Sequence, residues 1–270
     1  MGNKVVEGLS AMMTSSKELL PEILLMNFTV VNACLVGSRD KWVLVDTGLE
    51  NSSDFILEAV ETRFGKDSKP QAIILTHGHF DHVGSVKKLS ELWNVPVYIH
   101  QLEMPYVTGK KDYPVADPTV DAGMVAKLSP TFPHTSIDIS SRIVALPQDG
   151  SVPGMPGWKW VHTPGHTDGH IALFGEEDRV LIAGDAFSTT KQESLFSVVT
   201  HREQVSGPPK YLTTDWVAAE DSVRCLADLE PTIAITSHGE PLKGEELTKH
   251  LQFLVNHFDE IAKPEQGRFL

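Results

Sequence analysis

Cysteine is nearly missing from this chain of 270 residues: Cys34 and Cys225 are its two, too few and too far apart for a disulfide framework or a zinc ribbon. A reducing, cytoplasmic setting is expected. Long apolar runs are missing as well, none reaching the roughly 18 residues that a membrane span requires. Glu7, Lys17, Glu18 and Glu22 interrupt the first 30 residues, where an export signal would need its apolar stretch. Met1-Gly2 opens like an acylation signal, but Val6 stands where Ser or Thr is needed. Positive charge is scarce: 23 Lys and Arg against 36 Asp and Glu leave a net charge of -13, which repels phosphate backbones and anionic lipid. No nucleic acid and no membrane are expected as partners. Repeats and low-complexity segments are lacking too. What remains is an ordinary globular composition, 41% hydrophobic and 22% charged, read as a single large domain over residues 1–270.

Residues 28–37 and 41–47 are β-branched runs separated by Ser38-Arg39-Asp40 and predict a hairpin. A Ser or Asp within Asn51-Ser52-Ser53-Asp54 starts a helix that Gly65 ends, and 71–76 is an apolar strand. Residues 83–93 have helical spacing, with Val83, Val86, Leu89 and Leu92 or Trp93 on one side, before Asn94-Val95-Pro96 and a strand at 97–100. From 101 to 141, Pro105, Pro114, Pro118, Pro130 and Pro133 loosen the pattern around one short helix near 120–128; this reads as a lid or insertion. Strands follow at 158–163, 170–175, 179–184 and 231–237. Helices are expected at 214–230, with Val217, Val223, Leu226 and Leu229 as the apolar face, and at 244–261. Cys34 in a strand and Cys225 in a helix read as core packing. Two β-rich halves with helices predict an α/β fold of two packed mixed sheets, helices outside.

Strand 71–76 runs directly into Thr76-His77-Gly78-His79-Phe80-Asp81-His82, which puts three imidazoles and a carboxylate on the turn that opens the next helix. Neutral imidazole and carboxylate are the donors that zinc and similar divalent ions take, and alternate residues on a turn can face one cavity. His166, Asp185 and His238 each lie at a later strand end. Singly each reads as a hydrogen-bonded structural group. Together they fall where α/β folds gather their sites.

With these residues in this order the sequence resembles the metallo-β-lactamase superfamily over about residues 25–245, with Asp46-Thr47-Gly48 as its first motif. The resemblance implies a four-layer αββα sandwich. It also implies one metal ion held by His77, His79 and His166, a second held by Asp81, His82 and His238, and Asp185 bridging the two. Asp46 would orient the imidazoles. Zinc is the first expectation for the pair, with manganese and iron also compatible. The chemistry implied is hydrolysis by a hydroxide bridging the two ions, with Asp81 passing a proton to the leaving group. Phe80 and Phe187 belong either to the pocket wall or to the core, and His162 and His170 read as structural.

Asp185 stands where lactam-hydrolysing members often carry Cys, which favours the branch that resembles glyoxalase II, acyl-homoserine lactonases and ribonuclease Z. A small-molecule ester, thioester or lactone is therefore the expected substrate. The stretch after His238 is too short for the helical domain with which glyoxalase II holds glutathione. Ala186-Phe187-Ser188-Thr189 lacks the Tyr that lactonases place after the bridging Asp. Acidic charge disfavours a phosphodiesterase or ribonuclease, the missing export signal disfavours a β-lactamase, and the complete donor set disfavours a non-catalytic metal-binding protein. Segments 101–141 and 186–213 would shape substrate choice, and the helices within 214–260 would suit a homodimer.

Overall fold

Apolar side chains occupy most positions of Ile23–Asn27, Asn32–Ser38 and Lys41–Val45 among the early strands, and these pair with their neighbours into a mixed sheet. β1 (Ser15–Leu20), β2 (Ile23–Asn27), β3 (Asn32–Ser38) and β4 (Lys41–Val45) run antiparallel in sequence, and β5 (Ile73–Ile74), β6 (Val97–Ile99) and β7 (Ile143–Ala145) extend the sheet in parallel from β4. The computed structural model describes residues 14–190 and 205–270. Contacts divide the chain into two compact units, one reaching to Tyr113 and resuming over Pro133–Pro156, the other comprising Pro114–Phe132 and Gly157–Leu270. His201 and part of the 186–213 stretch lie outside the described residues.

In the first unit the expected hairpin is β3 and β4. The β1–β2 hairpin before it escapes a hydropathy reading because β1 is polar and largely exposed. β5 is short, yet the Gln71 amide donates to Trp42 O at 2.8 Å and the Leu75 amide to Tyr98 O at 2.9 Å, so the ladder covers most of 71–76. α1 (Ser53–Phe64) ends on Gly65, whose φ of 101° suits a residue without Cβ. The helix expected over 83–93 is split into α2 (Phe80–Val83) and α3 (Val86–Trp93). Gly84 marks the break: a Cβ there would sit 2.2 Å from the Leu49 carbonyl carbon, while the Gly84 amide donates to Gly48 O at 2.9 Å. The turn after β4 thus docks directly on the backbone between the two helices. Trp42 anchors the core beside it, stacked on Phe64 at 4.9 Å and edge-on to Trp93 at 5.8 Å.

The second unit holds β8 (Trp158–His162), β9 (Ile171–Gly175), β10 (Val180–Gly184), β11 (Ile233–Thr236) and β12 (Leu242–Lys243). They are ordered β12-β11-β10-β9-β8, with β10 and β11 parallel and the other neighbours antiparallel. Its helices among the described residues are α4 (Met124–Leu128), α5 (Trp216–Asp228), α6 (Gly244–Asn256) and α7 (Phe258–Ile261). α5 is capped by Asp215, whose carboxylate accepts from the Ala218 amide at 2.9 Å. Its buried face is Trp216, Ala219, Val223 and Leu226, at helical spacing. Val217, expected in that face, is 71% exposed, and Cys225, expected in the core, is exposed as well. Both lie off the 216-219-223-226 stripe. No helix of the described residues is long and apolar enough to cross a membrane.

Trp42→Ala should lower the unfolding free energy by about 3–5 kcal/mol, the usual cost of emptying a buried aromatic site; urea denaturation followed by fluorescence and circular dichroism measures it.

Candidate metal centre

In the first unit, the end of β4 and the loop after β5 converge on one carboxylate. Asp46 sits at φ 56°, a left-handed conformation that Asp tolerates better than most residues. Its Oδ1 accepts the Thr76 amide at 2.9 Å and its Oδ2 the Thr76 hydroxyl at 2.8 Å. His82 Nδ1 lies 2.8 Å from the same Oδ2. The Thr76 hydroxyl, having donated to Asp46, accepts from His77 Nδ1 at 3.1 Å. These bonds fix tautomers: Nδ1 carries the proton in both His77 and His82, and each Nε2 keeps its lone pair. His77 Nε2 then lies 2.9 Å from His79 Nδ1. Asp81, on the first turn of α2, has Oδ1 3.9 Å from His82 Nε2. Thr47 locks the loop from behind, its amide and hydroxyl both donating to His82 O at 2.8 and 2.7 Å.

The second unit gathers His166, Asp185 and His238 from the ends of β8, β10 and β11. Asp185 Oδ2 lies 3.2 Å from His166 Nε2 and 3.3 Å from His238 Nε2. The Thr213 hydroxyl donates to Pro209 O at 2.9 Å and is 3.1 Å from His166 Nδ1, so that Nδ1 bears the proton and Nε2 turns to Asp185. His170, read from the sequence as structural, holds the backbone of Asp185: its Nε2 accepts the Asp185 amide at 2.8 Å while Nδ1 meets the Thr163 hydroxyl at 2.8 Å. His162 sits near the surface with Nε2 2.9 Å from Asp168 O. All seven predicted donors are at most 8% exposed, and the described residues contain His and Asp groups that could hold metal ions.

Comparison with known proteins agrees with this donor chemistry. The Metallo-beta-lactamase superfamily profile matches residues 26–238. The chain belongs to the metallo-β-lactamase superfamily. It is 50% identical over 227 residues to the probable metallo-hydrolase YflN of Bacillus subtilis, covering 84% of this chain and 86% of that one. An archaeal superfamily protein from Sulfolobus tokodaii shares the fold at 16% identity with a TM-score of 0.58, covering 85% of this chain and 80% of that one. TTHA1623, solved in a di-iron-bound form, is 25% identical with a TM-score of 0.53, covering 86% and 94%. The protein is accordingly a metallo-hydrolase of this superfamily, and its α/β architecture of two mixed sheets with helices is the one expected.

Superfamily membership leaves several supporting residues of this hydrolase unassigned. Glu103 and Tyr113, both buried, come from the segment read as an insertion and reach the histidine loop after β5: Gly78 N–H lies 3.0 Å from Glu103 Oε2 and 3.0 Å from the Tyr113 hydroxyl. Burial and the neighbouring Glu103 hold the Tyr113 phenol well above its usual pKa. Thr213 is likewise absent from the sequence reading. Partners 25 to 47 residues apart leave no local pattern to find. Gly78 and Phe80, alternating with the donors, line a cavity of about 320 Å3 with Val83, Tyr113, Pro133 and Ile137. Phe80 thus faces that cavity, whereas Phe187 lies in the core of the second unit. Cys34 is buried in β3 as expected, and burial, aided by the Asp46 carboxylate, pushes its thiol far up, so it stays protonated and inert.

Asp46→Ala strips an acceptor from the Thr76 amide, the Thr76 hydroxyl and His82 at once. Thermal and urea unfolding should show a loss of about 2–4 kcal/mol, since a buried polar group left without its partner costs about 1–3 kcal/mol.

Proposed function

We propose that this metallo-hydrolase cleaves a small-molecule ester, thioester or lactone at a pair of divalent ions, zinc first and iron or manganese as the alternatives. In this reading His77, His79 and His166 hold one ion, Asp81, His82 and His238 the other, and Asp185 serves both. The donor chemistry fits: five imidazoles and two carboxylates, all buried, are a mixture that borderline divalent ions accept. The observation that carries the reading is that His77, His82 and His166 each have Nδ1 tied to Thr76, Asp46 or Thr213, which commits Nε2 to the ligand role. When bound, such a pair polarises the scissile carbonyl and brings the pKa of water down to about 7.

The remaining work falls to the chain. Asp46, Thr76 and Thr213 hold the imidazoles in the required tautomers, and His170 sets the backbone from which the Asp185 carboxylate projects. Asp81 stands at the first turn of α2, where its carboxylate can take the proton that the attacking water gives up and pass it to the leaving oxygen or sulfur. The iron seen in TTHA1623 keeps iron in the comparison of metals. A net charge of -13 supports a small molecule over a nucleic acid as substrate.

Metal analysis joined to a panel of lactones, glutathione thioesters, aryl esters, β-lactams and phosphodiesters, with and without chelator, decides the reading. The expectation is about two ions per chain and turnover of an ester, thioester or lactone that stops on chelation; hydrolysis that survives complete metal removal rejects it. Asp81→Asn should cut kcat by roughly 100-fold or more while lowering metal content far less. Equal loss of both would reduce Asp81 to a ligand.

A further inference from the structure

We propose that Glu103 and Tyr113 are positioning residues for the metal loop, holding the peptide of Gly78 so that the imidazoles on either side of it keep their spacing. The proposal rests on the reading of His77 and His79 as metal ligands. Gly78 is the residue between them, and its amide is shared between Glu103 Oε2 and the Tyr113 hydroxyl, each at 3.0 Å. Two acceptors on one N–H fix the plane of a peptide more tightly than one. Tyr113 also donates to Glu103 Oε2, closing a three-membered ring of hydrogen bonds.

Each corner of that ring is itself held. Tyr113 stacks on Tyr106 with centroids 3.9 Å apart and planes within 5°, and its amide donates to His134 O at 3.0 Å. The Tyr106 amide donates to Glu103 O at 3.0 Å, and the Glu103 amide to His100 O at 3.0 Å. The Tyr113 ring packs on His79, with centroids 4.4 Å apart. Gly78 has no room for a side chain on this face: a Cβ would stand 2.5 Å from the Tyr113 oxygen and 3.3 Å from Val107 Cγ1. The absence of a side chain is what lets the brace reach the backbone.

Energetics favour a positioning role over simple filling. Glu103 is 0% exposed, and enclosing a carboxyl with a phenol costs desolvation that an apolar pair of the same volume avoids. The return is geometric. Ligand groups must be held to within about 0.5 Å for a metal site to work, and side chains on a loop reach that precision only when the loop is tied from outside.

The test compares wild type, Tyr113→Phe, Glu103→Ala and Glu103→Gln as apoproteins titrated with Zn2+ against a competing chelator, alongside apoprotein melting curves. Tyr113→Phe, which keeps the ring and removes the oxygen, and Glu103→Ala should each weaken Zn2+ binding by about 10- to 100-fold. Glu103→Gln, whose amide oxygen still accepts from Gly78 and Tyr113, should recover most of that loss. A folded Tyr113→Phe that binds Zn2+ like wild type, with only its melting temperature changed, overturns the proposal. If wild type itself binds no Zn2+, and no Fe2+ or Mn2+ when these are titrated in its place, the metal-centre reading fails first and the brace falls with it, an outcome visible in the wild-type arm alone.

Discussion

A single buried carboxylate fixes much of the histidine loop in the first unit. Asp46 leaves β4 in a left-handed conformation and turns its side chain back toward the loop after β5, where it takes two bonds from Thr76 and one from His82. Charge buried in this way is costly unless it is well hydrogen-bonded, and here three donors meet it. The result is mechanical as well as electrostatic: strand, loop and short helix share one acceptor, so none can shift without leaving polar groups exposed to an apolar surrounding. Thr47 reinforces the arrangement by donating twice to His82 O, and Gly84 permits it by letting the Gly48–Leu49 backbone approach to contact distance.

The second unit solves the same problem with neutral groups. Thr213 passes its own proton to a carbonyl and so must accept from His166, while His170 spends its lone pair on the Asp185 amide. In each case a bond already committed, at the Thr213 hydroxyl or at His170 Nε2, leaves the imidazole one permitted tautomer. That logic needs no charge on the orienting group, and it turns His166 Nε2 to 3.2 Å from Asp185 Oδ2; His238 Nε2 lies 3.3 Å from the same oxygen. An imidazole–carboxylate group of this density suits divalent cations.

The parts of this organisation that were legible in the sequence are those carried by neighbours in the chain. The His77 to His82 cluster, the β4 strand before Asp46, the apolar run ending at Thr76 and the caps at Gly65 and Asn94 each show a local pattern. Asp46 is identifiable through Asp46-Thr47-Gly48, the first motif of the family that the sequence resembles. By contrast, Glu103, Tyr113 and Thr213 act on residues far away in the chain, and nothing in their surroundings marks them. The stripe of α5 was misread at Val217 because Trp216, not Val217, begins the buried face, a one-residue rotation of about 100° that apolar content alone does not resolve. β1 escaped because backbone pairing with β2, rather than an apolar side-chain pattern, makes it a strand.

The proline-rich segment shows why irregular sequence is poor evidence of looseness. Val107 and Ile139 enter the core of the first unit, the Ile139 amide donates to Val107 O at 3.0 Å, and Tyr106 and Tyr113 stack face to face within the same stretch. Proline punctuates it because the chain must turn often, not because it lacks partners. The Glu103 carboxylate and the Tyr113 hydroxyl turn inward onto the peptide of Gly78, where an apolar surface could fill space but could not fix an amide plane. The contacts that Glu103 and Tyr113 make with Gly78 are buried hydrogen bonds, the kind that cost most to break, and they tie residues 103 and 113 to the loop after β5.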